Sequence, residues 1–261
     1  MRAVQRDGTA ATVCEVPGFP SGLGWDTNGQ LLVASLTDRR LLRAGPNGLD
    51  VVADLSDVTR GAVNDMVVDD RGRAYIGNVG FHFGEEPVRP SNLVLVRPDG
   101  SVAPQGDGLL MPNGCVLTPD GRTLIVAETF GGRLTAFDID TDGGLGAQRV
   151  WAQVGQREFS DVDEAHASGQ CLPDGLALDE EGAIWVADSN GGPVQRVAPG
   201  GKVLDRIDTG DLHAFGVLLG GNDRRTLYLC LSPPFTAGPP AAVRGGRIMA
   251  CRVDVPGAGR P

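Results

Sequence analysis

The sequence predicts an all-β protein built as a β-propeller, and three observations predict it. The first is a short unit that recurs along the 261 residues. Its clearest copy is Pro173-Asp174-Gly175-Leu176-Ala177-Leu178, an acidic-Gly turn over 179–182, then Ile184-Trp185-Val186-Ala187-Asp188. This reads as two short strands with a carboxylate at each end, both ends on the same side of a hairpin. Units of short strands spaced roughly 40–60 residues apart are the signature of a propeller. The second observation is the 39 Gly and 18 Pro, a density of turn formers suited to many short strands. The third is that no stretch beyond about ten residues keeps helical periodicity.

Taken in order, residues 1–18 hold one or two strands, over 3–6 and 11–16, outside any complete repeat. The first unit has strands at 22–25, 31–35, 40–44 and 50–53. The second runs over 63–103, with a loop at 84–91 rich in charge and proline. The third is the most regular, with strands at 115–117, 123–127, 134–138 and 148–151. The fourth covers 172–207. The fifth covers 213–253, its third strand at 247–253 after the Pro/Ala/Gly loop 233–246. Four strands per unit is the make-up of a propeller blade. The last unit has three evident strands, and an unpaired edge invites aggregation. Either 11–16 supplies the fourth strand and closes a five-bladed ring, or the N-terminal piece is the outer half of a sixth blade. An incomplete blade would also expose an edge on which two copies could pair as a homodimer.

Aligning the units brings two sets of positions to one rim, because the first strand of each blade lines the central channel. The inner set is Ser21, Asn64, Asn113, Asp174 and Phe215; the set ending the second strands is Ser35, Asn78, Glu128, Asp188 and Leu231. Asp and Asn before Gly are also ordinary turn residues that bond their own backbone. Turn chemistry, however, does not require the same polar type at one rim in four units. Asn and Asp oxygens around one point suit a hard cation such as Ca²⁺, which takes about 6–8 oxygen ligands.

His82, just after Asn78, and His213, just before Phe215, fall near the pocket mouth, where surface or packing roles are equally open. His166 sits in an insertion, 157–170, that is either a lid over the site or a polar loop. Cys171 has no His partner in sequence, which makes it a poor nucleophile. The net charge of −10 argues against nucleic acid and anionic membrane surfaces as partners. No apolar run approaches the roughly 18 residues of a membrane span, and no secretion signal is visible. Five scattered cysteines without paired spacing fit a reducing cytoplasm.

The motifs resemble the SMP-30/gluconolactonase/LRE-like family, through Val63-Asn64-Asp65-Met66, Met111-Pro112-Asn113-Gly114, Pro173-Asp174-Gly175, the strand ending Ala127-Glu128-Thr129, and the segment 246–257. That resemblance implies one six-bladed propeller over 1–261, with the first blade incomplete and five full repeats visible. It implies a divalent metal at the channel mouth, most often Ca²⁺ with Zn²⁺, Mn²⁺ or Mg²⁺ as alternatives, and hydrolysis of small lactones. By motif, Asn113 and Asp174 match metal ligands, Asp174 also matches the general base, and Asn64 matches a residue that contacts substrate or metal-bound water. Ser21, Glu128, Asp188 and His82 complete the expected substrate-contacting set.

Two departures stand out. The family's first-blade Glu ligand has no counterpart, and an Arg usual two residues before Asn64 is Ala62 here. The expectation is that Glu128 or Asp188 makes up the lost charge. If the metal set stays incomplete, a cyclase or isomerase reaction, or a non-catalytic ligand-binding propeller, is the alternative.

Overall fold

Each repeat folds as one antiparallel sheet. The computed structural model describes residues 1–5, 7–234 and 245–259. Four sheets have four strands in sequential order. The first is β3 (Pro20–Trp25), β4 (Leu31–Ser35), β5 (Arg40–Gly45) and β6 (Gly48–Asp54). The second is β7 (Val63–Val68), β8 (Ala74–Asn78), β9 (Ser91–Val96) and β10 (Val102–Leu109). The third is β11 (Pro112–Leu117), β12 (Thr123–Glu128), β13 (Arg133–Asp138) and β14 (Arg149–Gln153). The fourth is β15 (Pro173–Leu178), β16 (Ile184–Asp188), β17 (Val194–Val197) and β18 (Val203–Ile207). The fifth sheet has three strands among the described residues, β19 (His213–Gly220), β20 (Thr226–Ser232) and β21 (Arg247–Arg252).

The inner strands pack side by side in the order β3, β7, β11, β15, β19, the arrangement of a propeller. Glycine makes this possible. A Cβ on Gly22 would lie 2.3 Å from the Met66 nitrogen, one on Gly114 2.4 Å from the Asp174 carbonyl oxygen, and one on Gly175 2.7 Å from Gly216 Cα. The equivalent Gly216 meets only Cys230 of its own sheet. Among the described residues β19 and β3 share no comparable packed face, so the ring is open there.

The core lies between the sheets, in layers. Leu32, Leu41, Val68 and Ile76 fill the first layer, and Tyr75, Leu95, Leu124 and Phe137 the second. Ile125, Leu134, Leu176 and Ile184 form the third, and Trp185, Val217, Leu227 and Leu229 the fourth. Alternation along each strand sends successive side chains to the two flanking layers, and each buried aliphatic contributes about 1.5–3 kcal/mol.

Residues 11–16 do not complete the fifth sheet. β2 (Ala10–Thr12) pairs only with β1 (Arg2–Val4), as a separate two-stranded sheet. Beyond it, Cys14 and Val16 fold with Met1 onto Val33 and Leu42 of the first sheet. The five-bladed closure is thus not formed, and no complete sixth sheet exists among the described residues. Most of the expected loop 233–246 lies outside them, as does Arg6. The insertion 157–170 carries the helix α1 (Val162–Ala167), started by Asp161, whose side chain accepts the Glu164 N–H. No helix among the described residues is long and apolar enough to cross a membrane.

Candidate functional site

The inner ring assembles as the alignment expects, because each member is the second residue of its strand in β3, β7, β11 and β15. Ser21 Oγ donates to Asn64 Oδ1 at 3.3 Å. Asn113 Nδ2 donates to Thr129 Oγ1 at 3.1 Å, and that hydroxyl donates to the Pro173 carbonyl at 2.9 Å. This relay ties β11 to the start of β15 and holds Asn113 beside Asp174, which it also hydrogen-bonds. The fifth position, Phe215, adds no oxygen.

The ring has a member that sequence reasoning missed. Asp65 is the third residue of β7, in the column where the other inner strands carry Gly22, Gly114 and Gly175. Burial pushes its carboxyl up to about 6, and its charge acts on Asp174. Asp174 is pushed well above the ordinary range, first by burial and then by the charge of Asp65; the Asn113 side chain and the Gly175 N–H oppose the shift. The signal was present as an acid where four units have glycine, but it stood next to Asn64, which carries the family motif.

The second-strand residues play a different part. Asn78 Oδ1 accepts the Arg60 N–H at 3.3 Å, Glu128 Oε2 accepts the Leu110 N–H at 2.9 Å, and Asp188 Oδ1 accepts the Leu172 N–H at 3.0 Å. Each therefore clasps the backbone entering its own inner strand. Glu128 is fully buried and saturated: Arg133 Nε donates at 2.7 Å and Nη2 at 3.0 Å, and Thr135 Oγ1 donates as well. Asp188 also accepts the Asn190 N–H at 2.9 Å, and its carboxyl is raised by burial. Glu128 is thus neutralised by Arg133 and does not supply the compensating charge expected of it, whereas Asp188 has no arginine among the described residues and its charge acts on Asp174. In the first sheet Ser35 donates to Asp38 at 2.8 Å instead, and Leu231 is buried core.

The remaining candidates lie off the ring. His82 is exposed in a turn, its N–H held by Glu86 at 3.0 Å. His213 Nδ1 bonds the Ser189 carbonyl at 2.8 Å, a link between the fourth and fifth sheets. His166 lies in the last turn of α1. The Cys171 thiol is raised by burial and by Asp188, which keeps it protonated and unreactive.

Among the buried acids Asp69, Glu128 and Asp179 each have an arginine, at 2.5 Å (Arg73), 2.7 Å (Arg133) and 2.7 Å (Arg196). Asp188, also buried, and the half-buried Asp65 and Asp174 have none among the described residues, and the charges of Asp65 and Asp188 both act on Asp174. Buried charge without a partner is costly. In the same place the Asn64 Nδ2 is buried with no hydrogen-bond partner. Two unpaired carboxylates and two amides facing one channel form an all-oxygen donor set that fits a hard divalent cation. No three His, Cys, Asp or Glu side chains converge among the described residues, since half of this set is asparagine.

These features define a β-propeller, open between β19 and β3 among the described residues, with Ser21, Asn64, Asp65, Asn113 and Asp174 gathered at the mouths of its inner strands. The chain belongs to the SMP-30/gluconolactonase/LRE-like family, whose model matches residues 1–232. It is 30% identical over 262 residues to a 6-deoxy-6-sulfogluconolactonase of Pseudomonas putida, covering 98% of this chain and 84% of that protein. It is 28% identical over 166 residues to a pentonolactonase of Haloferax volcanii, covering 64% of this chain and about half, 52%, of that protein. Among solved structures, a calcium-binding regucalcin of Agrobacterium tumefaciens superposes with a TM-score of 0.73 at 22% identity, over 97% of this chain and 81% of that one. That likeness concerns the fold.

Proposed function

We propose that the protein hydrolyses small lactones, using a divalent cation held by Asp174, Asn113, Asn64 and Asp65, with Ca²⁺ the best match to the donors. The observation that carries this reading is the pair of channel carboxylates without a protein counter-ion, flanked by the two asparagines. The lactonase names of the P. putida and H. volcanii relatives support the reaction class. Asp65 raises the donor set's formal charge to −2.

When bound, the cation supplies Lewis acidity toward the lactone carbonyl. Asp174 removes a proton from the water that attacks the acyl carbon, the acyl–oxygen ring bond breaks, and the ring oxygen takes up a proton to give the hydroxy acid. Asn113, braced by Thr129, fixes the Asp174 carboxylate for that transfer. Ser21 and Asn64 line the opposite side and orient the ring.

Ring opening across a lactone panel, with Ca²⁺, Zn²⁺, Mn²⁺ or Mg²⁺ added and then chelated, tests the proposal. Metal-dependent turnover that falls about a thousandfold in Asp174→Asn is expected. Folded protein that binds Ca²⁺ yet turns over no lactone would leave a binding propeller or a non-hydrolytic enzyme.

A further inference from the structure

A small cavity lies between the first and second sheets, at the opposite end of the inner strands from the polar ring. Ser21 and Asn64 are the second residues of β3 and β7, whereas the cavity is lined by Asp26 and Thr27, just after β3, and by Gly72, in the turn after β7. Its volume is about 120 Å³. That is well under the roughly 300–1,000 Å³ of a drug-sized pocket, so only a small ligand fits. The turns around it touch one another. Gly72 has a φ of 76°, and a Cβ there would lie 3.2 Å from Thr27 Cγ2 and 3.4 Å from Pro98 Cγ.

The lining has two halves. One is aliphatic, with Leu32, Leu41 and Val96 all buried. The other is charged, with Arg43 of β5 and Arg97 just after β9. A single acid, Asp26, lines the cavity with them. Its Oδ1 already accepts the Asn28 N–H at 2.8 Å and the Gln30 N–H at 2.9 Å, and its Oδ2 lies 3.1 Å from Arg43 Nε. That last contact lacks hydrogen-bond geometry: Arg43 Nε is buried with no hydrogen-bond partner among the described residues. Arg97 has no carboxylate partner among the described residues, and its Nε donates to the Asp142 carbonyl at a long 3.4 Å.

A buried donor without an acceptor costs about 1–3 kcal/mol. Two guanidiniums against one carboxylate also leave the lining with one net positive charge, in a chain whose net charge is −10. Such a lining repels cations. A phosphate or sulfate would turn some of its oxygens onto the Leu and Val side chains, which cannot replace the lost water. A carboxylate on a short aliphatic chain satisfies both halves: the head accepts guanidinium N–H groups, and the chain lies on the aliphatic wall.

We propose that this cavity binds a small aliphatic carboxylate, held by Arg43 and Arg97 against Leu32, Leu41 and Val96. The site is separate from the polar ring and stands whether or not the protein opens lactones.

Butyrate, its uncharged analogue butyramide, and inorganic phosphate are titrated calorimetrically into the protein with chelator present, so that no cation in the ring attracts the carboxylate. Butyrate is expected to bind about tenfold or more tighter than either of the others. Arg97→Gln should weaken butyrate about tenfold, while Arg71→Gln, which removes a neighbouring charge outside the lining, should leave its affinity unchanged. Absence of butyrate binding, equal affinity for butyrate and butyramide, or equal losses in the two arginine variants overturns the proposal. Tighter binding of phosphate overturns it as well, in favour of an inorganic oxyanion site. If Arg97→Gln does not fold, the wild type still decides: the methyl NMR signals of Leu32, Leu41 and Val96 should shift with butyrate, and signals that stay fixed while butyrate binds place it elsewhere and overturn the proposal.

Discussion

Asp65 and Glu128 show how differently two acids on the same rim can behave. Glu128 is buried and neutralised by the half-buried Arg133, which also pairs with Glu158, so Glu128→Gln should leave cation affinity intact and cost about 1–3 kcal/mol in denaturant unfolding, since a charge-assisted bond is lost at a buried site. Asp65→Asn should do the reverse. Cation affinity by titration calorimetry should fall about 10–100-fold, and the chelated protein should gain stability above pH 6. The direction follows from linkage. The Asp65 carboxyl is raised to about 6 in the folded chain, so its contribution to stability is complete below pH 4 and disappears as the pH rises through 6. That loss is about 3 kcal/mol without metal. Thermal unfolding of chelated wild type should therefore show a falling Tm between pH 4 and 7, restored by Ca²⁺; a flat profile would remove Asp65 from the site.

The inner strand is the element that sets the site geometry. Its third residue is glycine in β3, β11 and β15 because the neighbouring strand's backbone passes where a Cβ would lie. Gly114→Ala should push β15 and the Asp174 backbone outward, lowering kcat more than stability; equal losses in both would mean the strand shifts without moving Asp174. The sequence made these strands and the residues at their mouths legible, since the polar residue and the glycine recur in fixed order. It did not reveal the role of the second-strand column. Asn78, Glu128 and Asp188 share a position, but whether such a side chain faces the channel or the incoming backbone depends on the loop that precedes each inner strand. It placed strands near β1 and β2, at 3–6 and 11–16, but not their bounds or their pairing with each other, since three-residue strands are too short to show alternation.

At the scale of the molecule, the core is a set of inter-sheet layers that among the described residues leave one side open, between β19 and β3. Leu23, Trp25, Leu218 and Ile248, on the first and fifth sheets, remain exposed. The fifth sheet has one packed neighbour where the second, third and fourth have two. It should accordingly be the first to open, with the amides of β20 and β21 exchanging hydrogen faster than those of β12 and β13. Uniform protection across all five sheets would show that the gap is filled in solution. The number of repeats and the incomplete blade were readable from the sequence; that residues 11–16 fold against the first sheet and not the fifth was not, because no motif marks that choice.

The second-strand clasps carry an implication for how such a protein diversifies. Asn78, Glu128 and Asp188 each fasten the entry to an inner strand from within their own sheet. The residues just after these strands, Val79, Thr129 and Ser189, bond the same entries, so only the outer parts of the loops that follow can change length and composition without relaying the shift to Asn64, Asn113 or Asp174. Grafting a loop from one relative onto another should transfer selectivity while leaving the chemistry in place.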